Sequence, residues 1–353
     1  MSIPEILIQT LPPCGLITLN RPQALNALTH GMVTAIAAAL DEWQANPAIT
    51  RVVIEAAGEK AFSAGGDIRK LYDCALAGDF DGPLQFWADE YRLNLRLKNY
   101  PKPCVALVDG LVMGGGAGVS LHASHVVAGD GFALAMPEVG IGFFPDVGAT
   151  CFLSHLPGHW GEYLALTGKR VKAEPATQLG LAHASVASTD MAALKAALLA
   201  GEDVATAIAR YSRKLSALAV APWIETCFAA ANVPQILQRL QQAAMGGESG
   251  AGQAAQAILA KCPTSLAVAL RQMQQGRTMG LAQALQLEYR IVSRIFRRAD
   301  FREGVRAVVI DKDNKPRWSP ASLNEVSAAE VDAMFAPLPG GDLQMQAAAG
   351  QPT

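Results

Sequence analysis

Glu138 and Asp146 stand eight residues apart in an otherwise apolar, glycine-rich stretch, GFALAMPEVGIGFFPDVGA, which runs from Gly131 to Ala149. A carboxylate among Phe, Ile, Val and Met is desolvated, which raises its pKa and suits it to acid–base or nucleophilic work. Such a group is costly unless it is paired or functional, and this weighs for chemistry over a plain capped loop. Two glycine-rich turns precede the pair: Phe62-Ser63-Ala64-Gly65-Gly66-Asp67 and Met113-Gly114-Gly115-Gly116-Ala117-Gly118. A glycine step just before a helix can present backbone N–H groups to an anion or a developing oxyanion. The plain alternatives are an ordinary turn with Asp67 as helix cap, and close strand–helix packing at the triple glycine.

Other chemistries find little support. The triple-glycine turn lacks the terminal Lys-Ser/Thr of a phosphate loop. A GxGxxG pattern fits only loosely from Gly110, without an acidic ribose partner, so nucleotide binding is disfavoured. The six histidines (30, 122, 125, 155, 159 and 183) form no HxxxH or HExxH spacing, and no metal site is expected. No GxSxG nucleophile elbow occurs. Asp89-Glu90-Tyr91, with Arg92 and Asn94, reads by itself as the polar face of a helix.

The elements that must position these residues are legible in outline. Gly15–Leu19, Arg51–Glu55, Cys104–Val108 and His125–Ala128 are short apolar runs that read as strands. Thr29 can cap a helix in which Met32, Val33, Ile36, Leu40 and Trp43 recur at helical spacing. A second helix is expected over 83–99, and Leu111–Leu121 starts glycine-rich and becomes helix-like. Alternating strands and helices argue for an α/β layer with a mostly parallel sheet. Residues 58–148 hold 15 of the 32 glycines, which marks this window for tight turns or close backbone approach to a ligand. Beyond about residue 187 the chain becomes rich in Ala, Leu and Gln. Leu281, Leu285, Tyr289, Val292 and Phe296 share a helical face there, and Gly246–Gly252 (GGESGAG) reads as a flexible loop. The expected organisation is a core unit over 1–187, a helical region over 188–337 and a disordered tail over 338–353.

With 353 residues, a 51% hydrophobic share and 17% charged residues, the chain can bury a large core. A net charge of −2 argues against a nucleic-acid partner. The longest apolar stretch, 104–121, is broken by Asp109 and five glycines and makes a poor membrane span. The N-terminal MSIPEILIQT shows no targeting pattern, and the six scattered cysteines read as buried thiols, so a cytoplasmic protein is expected.

Taken in order, Asn20-Arg21-Pro22 with Leu25-Asn26-Ala27-Leu28, Ser63–Asp67, Gly110–Gly118 and Pro137-Glu138 resemble the signature of the crotonase (enoyl-CoA hydratase/isomerase) superfamily, over about residues 5–185. The resemblance implies a spiral of ββα units with a helical C-terminal region, and acyl-CoA thioester substrates. It places the oxyanion-hole N–H groups at Gly66 and Gly115. It runs Asn26, Ala27 and Leu28, and Ala64, Gly65, Asp67 and Ile68, beside the CoA through backbone contacts. CoA thus enters as part of the substrate, with no separate cofactor, and a homo-oligomer is expected. Arg51, Lys60 and Lys102 are candidates for the CoA phosphates, although their spacing gives no support.

The departures narrow the resemblance. Hydratases of this superfamily use two glutamates, and here the first position is Gly118, leaving Glu138 alone. They also carry glycine where this chain has Asp146. Ala64–Arg69, Glu90-Tyr91, Met136–Glu138, Phe144–Gly148 and the run Asp300–Trp318 are similar to the 3-hydroxyisobutyryl-CoA hydrolase branch. That similarity implies hydrolysis of a short branched 3-hydroxyacyl-CoA thioester, 3-hydroxyisobutyryl-CoA, in valine breakdown. Glu138 and Asp146 would be catalytic, and Glu90 would contact substrate. Glu138 could attack the carbonyl or activate water. An isomerase or atypical hydratase of the same superfamily, and a non-catalytic acyl-CoA-binding protein, stay as alternatives.

Overall fold

The computed structural model describes residues 3–216 and 221–345. Two sheets lie at its centre. The larger takes β1 (Ile6–Leu11), β2 (Cys14–Leu19), β3 (Arg51–Ala56), β5 (Cys104–Val108), β7 (His125–Ala128) and β10 (Ala184–Ser185), in that order. Only the β1–β2 hairpin is antiparallel; the other pairs are parallel. The smaller sheet takes β4 (Ala61–Ser63), β6 (Leu111–Met113), β8 (Ala133–Ala135) and β9 (Val171–Lys172). Each turn of the spiral lays one strand in each sheet before a helix closes it: β3 then β4, β5 then β6, β7 then β8. This is the ββα spiral that the sequence resemblance implied.

The first helices follow from local chemistry. Thr29 Oγ1 accepts from the Met32 N–H at 3.3 Å and opens α1 (His30–Ala45). The helix buries Met32, Val33, Ile36, Leu40 and Trp43, the residues whose spacing predicted it. Asp67 caps α2 (Ile68–Ala77), its carboxylate accepting from the Lys70 N–H at 3.3 Å. The plain reading of Asp67 as a helix cap is therefore met. α3 (Asp81–Lys98) follows, and Gly114 leads into α4 (Gly115–Leu121).

The C-terminal region is helical, but the hydrophobic core does not divide at residue 187. One cluster joins Leu28, Phe62, Tyr91 and Phe144 with Met273, Leu285, Val292, Phe296 and Phe301. Leu194, Leu198 and Val204 pack on the outer face of the large sheet, against Val53 and Val105. Two expectations are corrected. The flexible loop read over 246–252 shrinks, because the helix Ser249–Leu259 begins inside it. A Cβ at Gly250 would lie 2.9 Å from the Trp223 ring, so the small residue admits close helix packing there. The tail read from 338 is packed as far as the description extends. Arg290 Nε donates to Asp342 Oδ1 at 2.8 Å, and Leu343 is buried. Residues 346–353 lie outside the described residues.

Candidate active site

A cavity of about 370 Å³ opens where six segments meet. Ala64, Gly65, Gly66 and Ile68 come from the turn after β4, and Met113, Gly114 and Gly115 from the turn after β6. α3 contributes Phe86, Trp87 and Glu90, and the 137–146 stretch contributes Glu138, Phe143 and Asp146. Lys261, Val308, Val309 and Asn314 close it from the C-terminal region.

The two glycine turns touch. Gly65 has φ +101, which glycine adopts without strain, and a Cβ there would sit 3.4 Å from Met113 O and 3.7 Å from Gly115 N. Gly115 is the first residue of α4, so its N–H lacks an intrahelical acceptor. On the other turn, Leu28 pairs with Gly66 as an isolated parallel bridge. The Leu28 N–H donates to Gly65 O at 2.7 Å, and the Asp67 N–H donates to Leu28 O at 3.1 Å. That pattern turns the Gly66 N–H to the opposite edge. The carboxylates stand against the second turn. A Cβ on Gly114 would lie 3.3 Å from Glu138 Oε1, and one on Gly115 would overlap Glu90 Oε1.

Glu90, Glu138 and Asp146 are all buried. Burial holds the Glu90 carboxyl well above the usual range, and the Asp146 charge pushes it further. Glu138 is raised by the same two causes, in the same order, against a smaller opposing pull from the Lys261 ammonium. Asp146 is pushed up to about 7 by burial, despite the hydrogen bond that the Tyr91 hydroxyl donates to its Oδ2 at 2.9 Å. Among the described residues, Glu90 Oε1 and Glu138 Oε2 have no hydrogen-bond partner. A cavity with two N–H donors at one wall and unpartnered carboxyl oxygens at another can take a carbonyl compound. It can polarise the carbonyl oxygen and offer an acid, base or nucleophile to the adjoining carbon.

Of the residues singled out in the sequence, Gly66, Gly115, Glu90, Glu138, Asp146, Ala64, Gly65 and Ile68 line this cavity. Leu28 and Asp67 line a neighbouring one of about 230 Å³, which shares Leu71 and Phe86 with the first. Asn26 and Ala27 line neither. Asn26 is a bracket within the fold: its amide donates to Ala57 O at 2.9 Å and Ala61 O at 3.0 Å, and its Oδ1 accepts from the Arg21 N–H. Two phosphate candidates are corrected. Arg51 donates to Gly201 O at 3.2 Å and to Glu202 O, and Lys102 donates to Asn46 O at 2.8 Å and to Trp43 O. Both side chains therefore hold the C-terminal ends of helices. Lys60 lines a shallow hollow with Pro22 and Gly58.

Sequence reasoning missed Lys261, the 308–314 segment and Glu288. Lys261 ends an alanine-rich helix and carries no pattern. Glu288 did carry one, since it falls at helical spacing between Leu285 and Val292, on a face that is otherwise apolar. A charged residue on such a stripe asks for a buried partner. Glu288 Oε2 accepts from the Gly148 N–H at 2.7 Å and Oε1 from the Thr150 N–H at 2.9 Å. Burial pushes its pKa up to about 8.

With this geometry in hand, the comparisons are consistent with it. The family model for enoyl-CoA hydratase/isomerase matches residues 14–335, and the chain belongs to that family. Mitochondrial 3-hydroxyisobutyryl-CoA hydrolase of Gallus gallus is 39% identical over 98% of this chain and 92% of the relative. The Homo sapiens protein of the same name is 40% identical over 96% of this chain and 90% of the relative. Two solved structures superpose closely at 38% identity. One is a carnitinyl-CoA dehydratase from Mycobacterium thermoresistibile, with TM-score 0.90 over 97% of this chain and 99% of that one. The other is an enoyl-CoA hydratase from Rhodobacter sphaeroides, with TM-score 0.89 over 97% and 100%. Among the described residues no helix is long and apolar enough to cross a membrane.

Proposed function

We propose that the chain is an acyl-CoA thioester hydrolase acting on 3-hydroxyisobutyryl-CoA, releasing 3-hydroxyisobutyrate and CoA in valine breakdown. The observation that carries this reading is the near full-length likeness, at 39–40% identity, to relatives that bear that name. The thioester carbonyl lies between the N–H groups of Gly66 and Gly115. Charge grows on its oxygen as the carbon becomes tetrahedral, and each donor lowers the barrier by roughly 3 kcal/mol. Glu138 either attacks that carbon, expelling the CoA thiolate and forming an anhydride that water then hydrolyses to the acid and free Glu138, or takes the proton from a water that attacks the carbon as the thiolate leaves. Asp146 holds the substrate hydroxyl or orients the water, and Glu90 bounds the acyl pocket. Among the described residues Glu90 Oε1 and Glu138 Oε2 have no hydrogen-bond partner, which supports their meeting a substrate hydroxyl or water. CoA enters as part of the substrate.

The two close structural neighbours favour a second reading, hydration of an enoyl-CoA or dehydration of a hydroxyacyl-CoA to one. Residue 118 speaks against it. A Cβ at Gly118 would lie 2.8 Å from Asn94 Nδ2 and 3.0 Å from Val147 Cβ, so the space for a second glutamate is filled. Assays of 3-hydroxyisobutyryl-CoA and crotonyl-CoA side by side separate the two. Thiol release from the first alone supports the hydrolase; loss of the crotonyl absorbance without thiol release overturns it.

A further inference from the structure

The loop that carries Asp146 is held by polar side chains from helices far away in the sequence. Val147 has φ +54, a conformation that is a strained outlier for a β-branched residue, and Gly148 has φ +91. Such a turn persists only when its surroundings over-determine it. Three side chains do so. His122 Nε2 donates to Val147 O at 2.7 Å; burial holds the imidazole pKa down to about 4, so the ring is neutral. Gln272 Nε2, from the helix Pro263–Gly276, donates to Pro145 O at 2.5 Å and Thr150 Oγ1 at 2.7 Å. Glu288, from the helix Leu281–Ile295, accepts from Gly148 and Thr150, one oxygen to each N–H. Every backbone position from 145 to 150 that these bonds touch lies within four residues of Asp146. Glu288 is fully buried, and its two oxygens face the Gly148 and Thr150 N–H groups and not the cavity wall.

We propose that Glu288 is a positioning residue for the reaction: its two-pronged bond to Gly148 and Thr150 fixes the Val147–Gly148 turn and thereby aims the Asp146 carboxyl into the cavity. Gln272 completes the hold from the second helix. This rests on the reading that Asp146 takes part in the reaction. A glutamine at 288 keeps one acceptor but turns an NH₂ toward the other N–H, which the turn must yield to. A displacement of that order misplaces a reacting group enough to cost about tenfold to a hundredfold in turnover.

The test is a double-mutant cycle in thioester hydrolysis, using the full chain, with near-ultraviolet circular dichroism to verify the fold. Glu288→Gln is expected to lower kcat by about tenfold or more with KM within about twofold of wild type. In an Asp146→Asn background, Glu288→Gln is expected to cost nothing further, because the group it aims is gone. Gln272→Ala should behave in the same way, and it carries the test if Glu288→Gln does not fold. Equal losses in both backgrounds, or an unchanged kcat in folded Glu288→Gln, would overturn the proposal. Wild-type turnover in Asp146→Asn would instead remove the catalytic reading of Asp146 on which it rests.

Discussion

The burial of Asp146 works against the stability of the fold. Its native carboxyl keeps the proton up to about pH 7, while an ordinary aspartate releases it near 3.8. Between those values the native state binds more protons than the unfolded one, so stability falls as pH rises through the window. The full loss is in force above pH 7. Asp146→Asn removes it and keeps an acceptor for the Tyr91 hydroxyl. The variant should melt higher than wild type at pH 8 and level with it below pH 4; equal melting temperatures at pH 8 would contradict the burial argument. Glu138 and Asp146 were legible in the sequence because their apolar neighbours in the chain are also their neighbours in space. Lys261 was not, since it reaches the cavity across more than a hundred residues of sequence and carries no local signature.

Helix α3 and the glycine turns act as a unit at the scale of elements. α3 brings Glu90 to the cavity, Tyr91 to Asp146 and Asn94 to Gly118 through one helical face. Gly115→Ala would drive a methyl into Glu90 Oε1 and to 3.0 Å from Leu28 Cδ1. Its kcat should drop by at least about tenfold through displacement of the donor turn; a wild-type kcat would show that this contact does not matter. Gly118→Glu, which restores a hydratase-like pair in sequence, meets Asn94 and Val147 instead of open space. It should lower the melting temperature, as overpacking does, and confer no hydration of crotonyl-CoA. Gain of hydration would contradict the packing. α1 and α3 were readable from a cap and a period, whereas β4, β8 and β9 run to three residues or fewer, too short for any period to show. The segment 246–252 was misread because Gly and Ser count as loop residues, while here their small size lets a helix lie on Trp223.

On the scale of the whole molecule, the C-terminal region completes the site. A π-helical turn, Arg306–Ile310, follows the helix Ala299–Val305 and brings Val308 and Val309 to the cavity. Arg306 ties the segment together through Glu303 at 2.8 Å, Asp311 at 2.6 Å and Asp313 at 2.8 Å. These partly exposed pairs all lie between residues 303 and 313, so they order that segment more than they hold the fold together. Arg306→Ala should therefore raise KM for the thioester several-fold while moving the melting temperature by roughly 2 °C or less. An unchanged KM would mean that the segment does not bound the substrate. The ordered motifs of the first half made the spiral legible, but the continuity of the core across residue 187 was not. It depends on Met273, Leu285 and Phe296 packing against residues two hundred positions away.

In the proposed reaction Glu138 acts at the thioester carbon. The most direct measurement is CoA-thiol release from 3-hydroxyisobutyryl-CoA by wild type and Glu138→Gln under saturating substrate. Wild type should release thiol, and the variant should lose about a hundredfold or more in turnover with substrate still bound. Turnover in Glu138→Gln within a few-fold of wild type would contradict it.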